Sequence, residues 1–128
     1  MTEIQISKQA NKIYDLEERT FNFAKQIGVL NKEILPKTVE NNEYLKQLIR
    51  SSGSVAANYI EANESLGKKD FRYRIKICRK EAKESCLWLK LLNIRPDHEF
   101  LLNKQQKLLQ EALELVKIFS AILNKTQG

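Results

Sequence analysis

The chain has 128 residues, 42% of them hydrophobic and 30% charged, a balance that excludes both an intrinsically disordered chain and a membrane-embedded one. Four glycines and two prolines are too few for the turns of a sandwich or barrel and favour a few long elements. One histidine and two cysteines leave little material for catalysis or metal binding, and 22 basic against 16 acidic residues give a net charge of +6.

A chain of this size buries roughly two-thirds of its unfolded surface, enough for one core, so residues 1–128 are read as a single domain. The opening stretch, MTEIQISKQANK, has no apolar signal core. No apolar run approaches the ~20 residues that span a bilayer. Cys78 and Cys86 fall in one helical stretch, with Cα atoms about 12 Å apart, too far for a disulfide. Two reduced thiols and no membrane association point to a cytoplasmic protein.

Four segments carry helical periodicity. The first, expected over residues 13–34, repeats Ile13, Leu16, Thr20, Phe23, Ala24, Ile27 and Leu30 at three- and four-residue steps. Pro36 closes it and suits the first turn of the next. Helix two, over 37–66, places Leu45, Leu48, Ile49, Ser52, Val55, Ala56, Tyr59 and Ile60 on one stripe and stops at Gly67. Helix three, over 69–93, is built on Phe71, Ile75, Cys78, Ala82, Leu89 and Leu92 and ends before the loop at Pro96 and Asp97. Helix four, over 98–124, uses Leu101, Leu108, Ala112, Leu115, Val116, Phe119 and Ile122. Short links make sequential helices antiparallel neighbours, so the expected fold is all-α, an up-down-up-down four-helix bundle.

The positive charge is local. Between Gly67 and Lys90 there are nine basic and three acidic residues, and the remaining 13 basic and 13 acidic residues cancel. On a wheel at about 100° per residue, Lys68, Lys69, Arg72, Lys76, Arg79, Lys80, Lys83 and Lys90 share one stripe of helix three. Such a stripe is either a solvated helix face or a track for phosphates, where cations displace condensed counterions. The stripe itself holds no interleaved aromatics, which favours recognition of shape and backbone over base stacking.

Tyr73, Ile77, Trp88 and Leu91 form a second apolar arc on helix three. With the core face it exceeds what one bundle helix needs. Either the helix is deeply buried in its own subunit or these residues meet another copy, and Trp and Tyr are common interface anchors. On helix two, Arg50, Ser54, Ala57 and Glu61 lie opposite the core stripe, flanked by Gln47, Ser51 and Asn58. Small residues permit close approach, and Arg50 and Glu61 can pair with a neighbouring helix or subunit. Arg50, Ser54, Ala57, Asn58 and Glu61 therefore join the second arc as expected interface positions.

Catalytic sets are poorly represented. His98 sits beside Asp97 in a loop without a matched nucleophile or ligand set. There is no Glu-x-x-His pair, no glycine-rich phosphate loop and no Cys-x-x-Cys pair. A non-enzymatic protein without cofactor or metal is expected.

The run RSSGSVAANYIEA from Arg50 to Ala62, followed by KKDFRYRIKICRKEAKESCLWLKLL from Lys68 to Leu92, resembles the four-helix bundle protein family, also called the 23S ribosomal RNA intervening sequence proteins. LEERTFNFAKQI from Leu16 to Ile27 and the segments at Leu35 to Lys37 and Gln47 to Arg50 support it, so the resemblance covers residues 13 to 123. It implies a small bacterial, non-enzymatic bundle that assembles into ring-shaped, five-fold homo-oligomers. It also implies an RNA context, since some relatives are encoded within ribosomal RNA genes. A similar branch, the accessory variability proteins of diversity-generating retroelements, works with a reverse transcriptase and RNA through a basic surface. The motif positions carried over are Arg50, Ser51, Ser54, Ala57, Asn58, Glu61, Asp70, Phe71, Glu81, Glu84 and Trp88. The expected function is a homo-oligomer that binds structured RNA, or DNA, through helix three. The alternative is a scaffold for another protein with no nucleic-acid role.

Overall fold

A computed structural model of the chain describes residues 16–127. Ile13, the first expected residues of helix one and the stretch inspected for a signal segment lie outside the described residues. Four helices account for the fold: α1 (Leu16–Glu33), α2 (Val39–Asn63), α3 (Lys68–Leu91) and α4 (Glu99–Lys125). No strand occurs among the described residues. The protein is an all-α four-helix bundle.

The helix ends follow from local chemistry. The Thr38 side chain accepts a hydrogen bond from the Asn41 N–H at 3.0 Å, so α2 begins after Thr38 and not at Lys37. Gly67 occupies the N-cap of α3 in an extended conformation, with no side chain to offer. His98 is exposed and caps α4, its Nδ1 accepting from the Leu101 N–H at 3.3 Å.

Packing runs in a closed circuit: α2 against α3, α3 against α4, α1 against α2, and α1 back onto α4. Phe119, Ile27, Leu30, Leu45, Leu48, Ile75, Leu89 and Leu115 are fully buried at its centre. Each such side chain contributes about 1.5–3 kcal/mol of transfer free energy. Contacts between helices tie the start of one element to the end of another. Asn41 on α2 exchanges hydrogen bonds with the backbone of Asn93, its Nδ2 donating at 2.9 Å and its Oδ1 accepting at 2.9 Å. Gln105 on α4 donates from Nε2 to the Leu89 and Leu92 carbonyls at 2.8 and 3.0 Å, satisfying acceptors that the end of α3 would leave orphaned.

The junction of α1 and α4 is more polar. Arg19 grips Glu111 with two hydrogen bonds of 2.6 and 3.0 Å and reaches Glu114 at 2.9 Å, and Lys104 pairs with Glu33. The bidentate geometry raises this pair above an ordinary surface ion pair.

The buried stripe of α2 differs from the one expected. Ile49 and Ile60 are 44% and 47% exposed and Ala56 is half-buried, whereas Asn41, Ser51 and Ala62 are buried. The helix is rotated so that Ser51 faces α3, which carries the flank of Ile49 and Ile60 outward. Ala24, Val116 and Ile122 are likewise half-buried and not central, while Leu123 is buried.

Gln105 yields a direct stability test. Replacing it with methionine keeps the volume but strips two buried carbonyls of their donor, a loss of about 1–3 kcal/mol. Thermal unfolding monitored by circular dichroism is expected to show a midpoint several degrees lower for Gln105→Met.

Candidate nucleic-acid interface

The basic stripe of α3 separates in the structure into two kinds of residue. Lys69, Lys76, Lys80, Lys83 and Lys90 are exposed. Lys80 approaches Glu81 only at 3.9 Å, and Lys69, Lys76, Lys83 and Lys90 form no ion pair among the described residues. Lys68 is exposed at the first position of the helix.

Arg72, expected in the phosphate track, is instead half-buried and committed to the fold. Its Nη1 donates to the Leu123 carbonyl and to Thr126 Oγ1, both at 2.6 Å, and so closes the C-terminal end of α4. Arg79 is half-buried as well.

A depression of about 580 Å³ lies where the start of α3 meets the end of α4, lined by Lys68, Lys69, Arg72, Tyr73, Lys76, Thr126 and Gln127. Tyr73 was expected on the apolar arc, yet it lines this basic groove. On the wheel it stands about 40° from Lys69 and 60° from Lys76, close enough to share their surface. That angular proximity was the signal in the sequence for an aromatic at the stripe's edge. Arg74 lies against the ring, its guanidinium carbon 5.7 Å from the centroid, and is itself tethered by a 3.1 Å hydrogen bond to Asn58 Oδ1.

The rest of the second arc divides. Trp88 is half-buried, packs on the chain's own core and stacks on Tyr44 with centroids 6.2 Å apart. Ile77 is half-buried, and Leu91 is exposed. Among the α2 positions expected at an interface, Arg50 and Asn58 make contacts within the chain, since Asn58 joins Ser54 and Arg74. Ala57 and Glu61 are exposed and Ser54 is half-buried.

Residues far apart in sequence meet in a polar seam between α2 and α3. Ser51 and Ser85 hydroxyls hydrogen-bond at 2.7 Å, and the Cys78 thiol donates to the Val55 carbonyl at 3.6 Å. Glu81 is only 4% exposed. Arg50 faces it from α2, Nη1 lying 3.1 Å from Glu81 Oε2 and Nη2 3.5 Å from Glu84 Oε2. Neither approach has hydrogen-bond geometry, so these two buried oxygens, like the Trp88 indole Nε1, have no hydrogen-bond partner among the described residues. Burial holds the Glu81 carboxyl above its ordinary range, the adjacent Glu84 reinforces the effect, and Arg50 opposes it.

Burial also suppresses the thiols: Cys78 is pushed up to about 12 by desolvation, and Cys86 is raised for the same reason. Among the described residues no three His, Cys, Asp or Glu side chains converge as a metal site needs. No helix among them is long and apolar enough to cross a membrane.

The model of the 23S rRNA-intervening sequence protein family matches residues 11–121. The chain belongs to that family. Arg50, Ser51, Glu81 and Glu84, positions on which the resemblance was read from the sequence, meet in the α2–α3 seam. A protein of unknown function from the S23 ribosomal protein family of Bacteroides thetaiotaomicron VPI-5482 has a similar solved structure. The likeness has a TM-score of 0.69 at 26% identity and covers 84% of this chain and 96% of that one. No curated protein matches the chain in sequence.

In this protein the seam sets a pH dependence. A carboxyl held above its ordinary value of 4.5 keeps its proton longer in the folded chain than in the unfolded one. Its contribution to stability is therefore full below pH 4.5 and is lost as pH rises through the elevated folded value. Glu81→Gln is expected to flatten this part of the stability profile. Arg50→Met, which leaves the buried carboxylate without its counter-charge, is expected to steepen it and to cost about 1–3 kcal/mol near neutrality. Urea unfolding of both variants across pH 4 to 8 measures the two slopes.

Proposed function

We propose that the protein is a non-enzymatic homo-oligomer that binds nucleic acid, RNA above all, through the exposed lysines of α3. The observation that carries this reading is the row formed by Lys69, Lys76, Lys83 and Lys90. These residues recur every seventh position, all are exposed, and no acidic side chain among the described residues pairs with them. Seven residues advance a helix by about 10.5 Å, so the row presents four ammonium groups over about 32 Å. That spacing suits a phosphate backbone, whose condensed counterions each ammonium would release. The ribosomal RNA link in the family's description supports RNA as the partner.

Self-association belongs to the same reading. Ile49, Ile60 and Leu91 expose apolar surface on the two central helices. A homo-oligomer that covered them would present several copies of the lysine row, and avidity would raise the affinity of individually weak contacts.

The test is fluorescence anisotropy with structured RNA, single-stranded RNA and duplex DNA at two salt concentrations. Wild-type protein runs beside a variant carrying Lys69→Glu, Lys76→Glu, Lys83→Glu and Lys90→Glu. Arg72 is left intact because it closes α4. Binding is expected to weaken with salt, and the variant's salt slope is expected to fall by about one for each reversed lysine that met a phosphate. Light scattering checks that both proteins keep the same mass. Unchanged affinity in the variant, or no wild-type binding at low salt, overturns the reading and points to a protein partner recovered independently of nuclease treatment.

A further inference from the structure

Within that nucleic-acid reading, on which this inference rests, we propose that the groove at the start of α3 captures an unpaired nucleotide. The base stacks on Tyr73, and Lys69 and Lys76 hold the phosphates beside it. The partner is thereby a single-stranded segment or loop, and not continuous duplex.

Three observations converge. Tyr73 is 58% exposed, so its ring is open to a stacking partner. Its position is braced, because Arg74 lies along the ring and is itself fixed to Asn58 on α2. A ring restrained in this way loses little further freedom when a base stacks on it. Finally, the groove it lines carries lysines at the first, second and ninth positions of α3. An aromatic platform with cations along one side is the arrangement that binds single strands without reading their sequence.

The groove joins apolar side-chain stems and a ring to cationic heads, which suits a base flanked by phosphates. Apart from Tyr73, every residue lining it is basic or polar. Thr126 is already tied to Arg72 and Asp70 lines only the neighbouring depression, so negative charge is kept to one side. A phosphate entering from the lysine side avoids Asp70. Duplex would have its bases turned inward, away from Tyr73, and would engage the lysines alone.

The experiment combines a protein variant with a substrate variant. Wild type, Tyr73→Ala and Tyr73→Trp are titrated with a single-stranded RNA, with the same strand carrying one abasic position in a length just sufficient for one site, and with a duplex of equal length. The expected result is a roughly 5- to 100-fold loss for Tyr73→Ala on the intact single strand, little change on the duplex, and recovery with Tyr73→Trp. The abasic strand is expected to bind wild type as weakly as the intact strand binds Tyr73→Ala, with no further loss when both changes are combined.

If Tyr73→Ala binds the single strand as wild type does while reversal of the lysines abolishes binding, the stacking inference fails and the electrostatic reading stands. If Tyr73→Ala changes the oligomer mass, the ring lies in a subunit contact and the inference fails. If wild type binds none of the substrates, both fall together.

Discussion

A carboxylate taken out of water is tolerated only with a counter-charge or a proton, and Glu81 sits almost wholly buried between α2 and α3. Arg50 supplies the charge from the neighbouring helix, and Glu84 beside it favours retention of the proton. This constraint sets the rotation of both helices. Arg50 can face Glu81 only if the Ser51 side of α2 turns toward α3, and the Ser51–Ser85 hydrogen bond locks that register. Ile49 and Ile60 are then carried to the surface. Replacing such a seam with apolar residues can equal it in stability. What the polar seam adds is one permitted register in place of several that hydrophobic packing would accept.

The same rotation determines what the opposite side of α3 offers. With Glu81, Ser85 and Cys78 turned toward α2, and Cys86 and Leu89 buried along with them, the arc bearing Lys69, Lys76, Lys83 and Lys90 is left without a neighbouring helix among the described residues. The charge concentration is thus displayed by the fold as a whole. It does not arise from the lysines alone, since the same residues on a helix covered on all sides would be paired or excluded.

Much of this was legible in the sequence. Periodicity located all four helices, with Pro36 and Gly67 marking their limits, because long amphipathic elements with few turns leave little ambiguity. The composition of each buried arc was harder. The apolar pattern of α2 is broad enough to admit two rotations, and hydrophobicity alone selected the one that buries Ile49 and Ile60. The deciding contact was polar and lay 31 residues away in sequence, between Arg50 and Glu81. Motif resemblance singled out both residues without indicating that they meet. Tyr73 stands where two faces meet: on the wheel it is in line with Leu91 of the apolar arc and about 40° from Lys69, so periodicity alone assigns it to either. Arg72 could not have been removed from the stripe by sequence reasoning, because its acceptors belong to the far end of α4.

Arginine and lysine on α3 divide the work in a way that bears on specificity. Arg72 spends its guanidinium on the end of α4 and Arg74 on Asn58 and Tyr73, while Arg79 is half-buried. Planar forks with several donors suit such fixed internal contacts. The lysines, compact and strongly hydrated, remain outside. In nucleic-acid recognition arginine forks are the commonest readers of base edges, whereas lysine ammonium groups act on phosphates as point charges. A surface on which Arg72 and Arg74 are engaged internally while Lys69, Lys76, Lys83 and Lys90 are exposed can hold a backbone but has little with which to distinguish one base pair from another. On the proposed reading, discrimination by this face comes from strand shape and from the accessibility of bases to Tyr73, which is a property of loops and single strands and not of sequence.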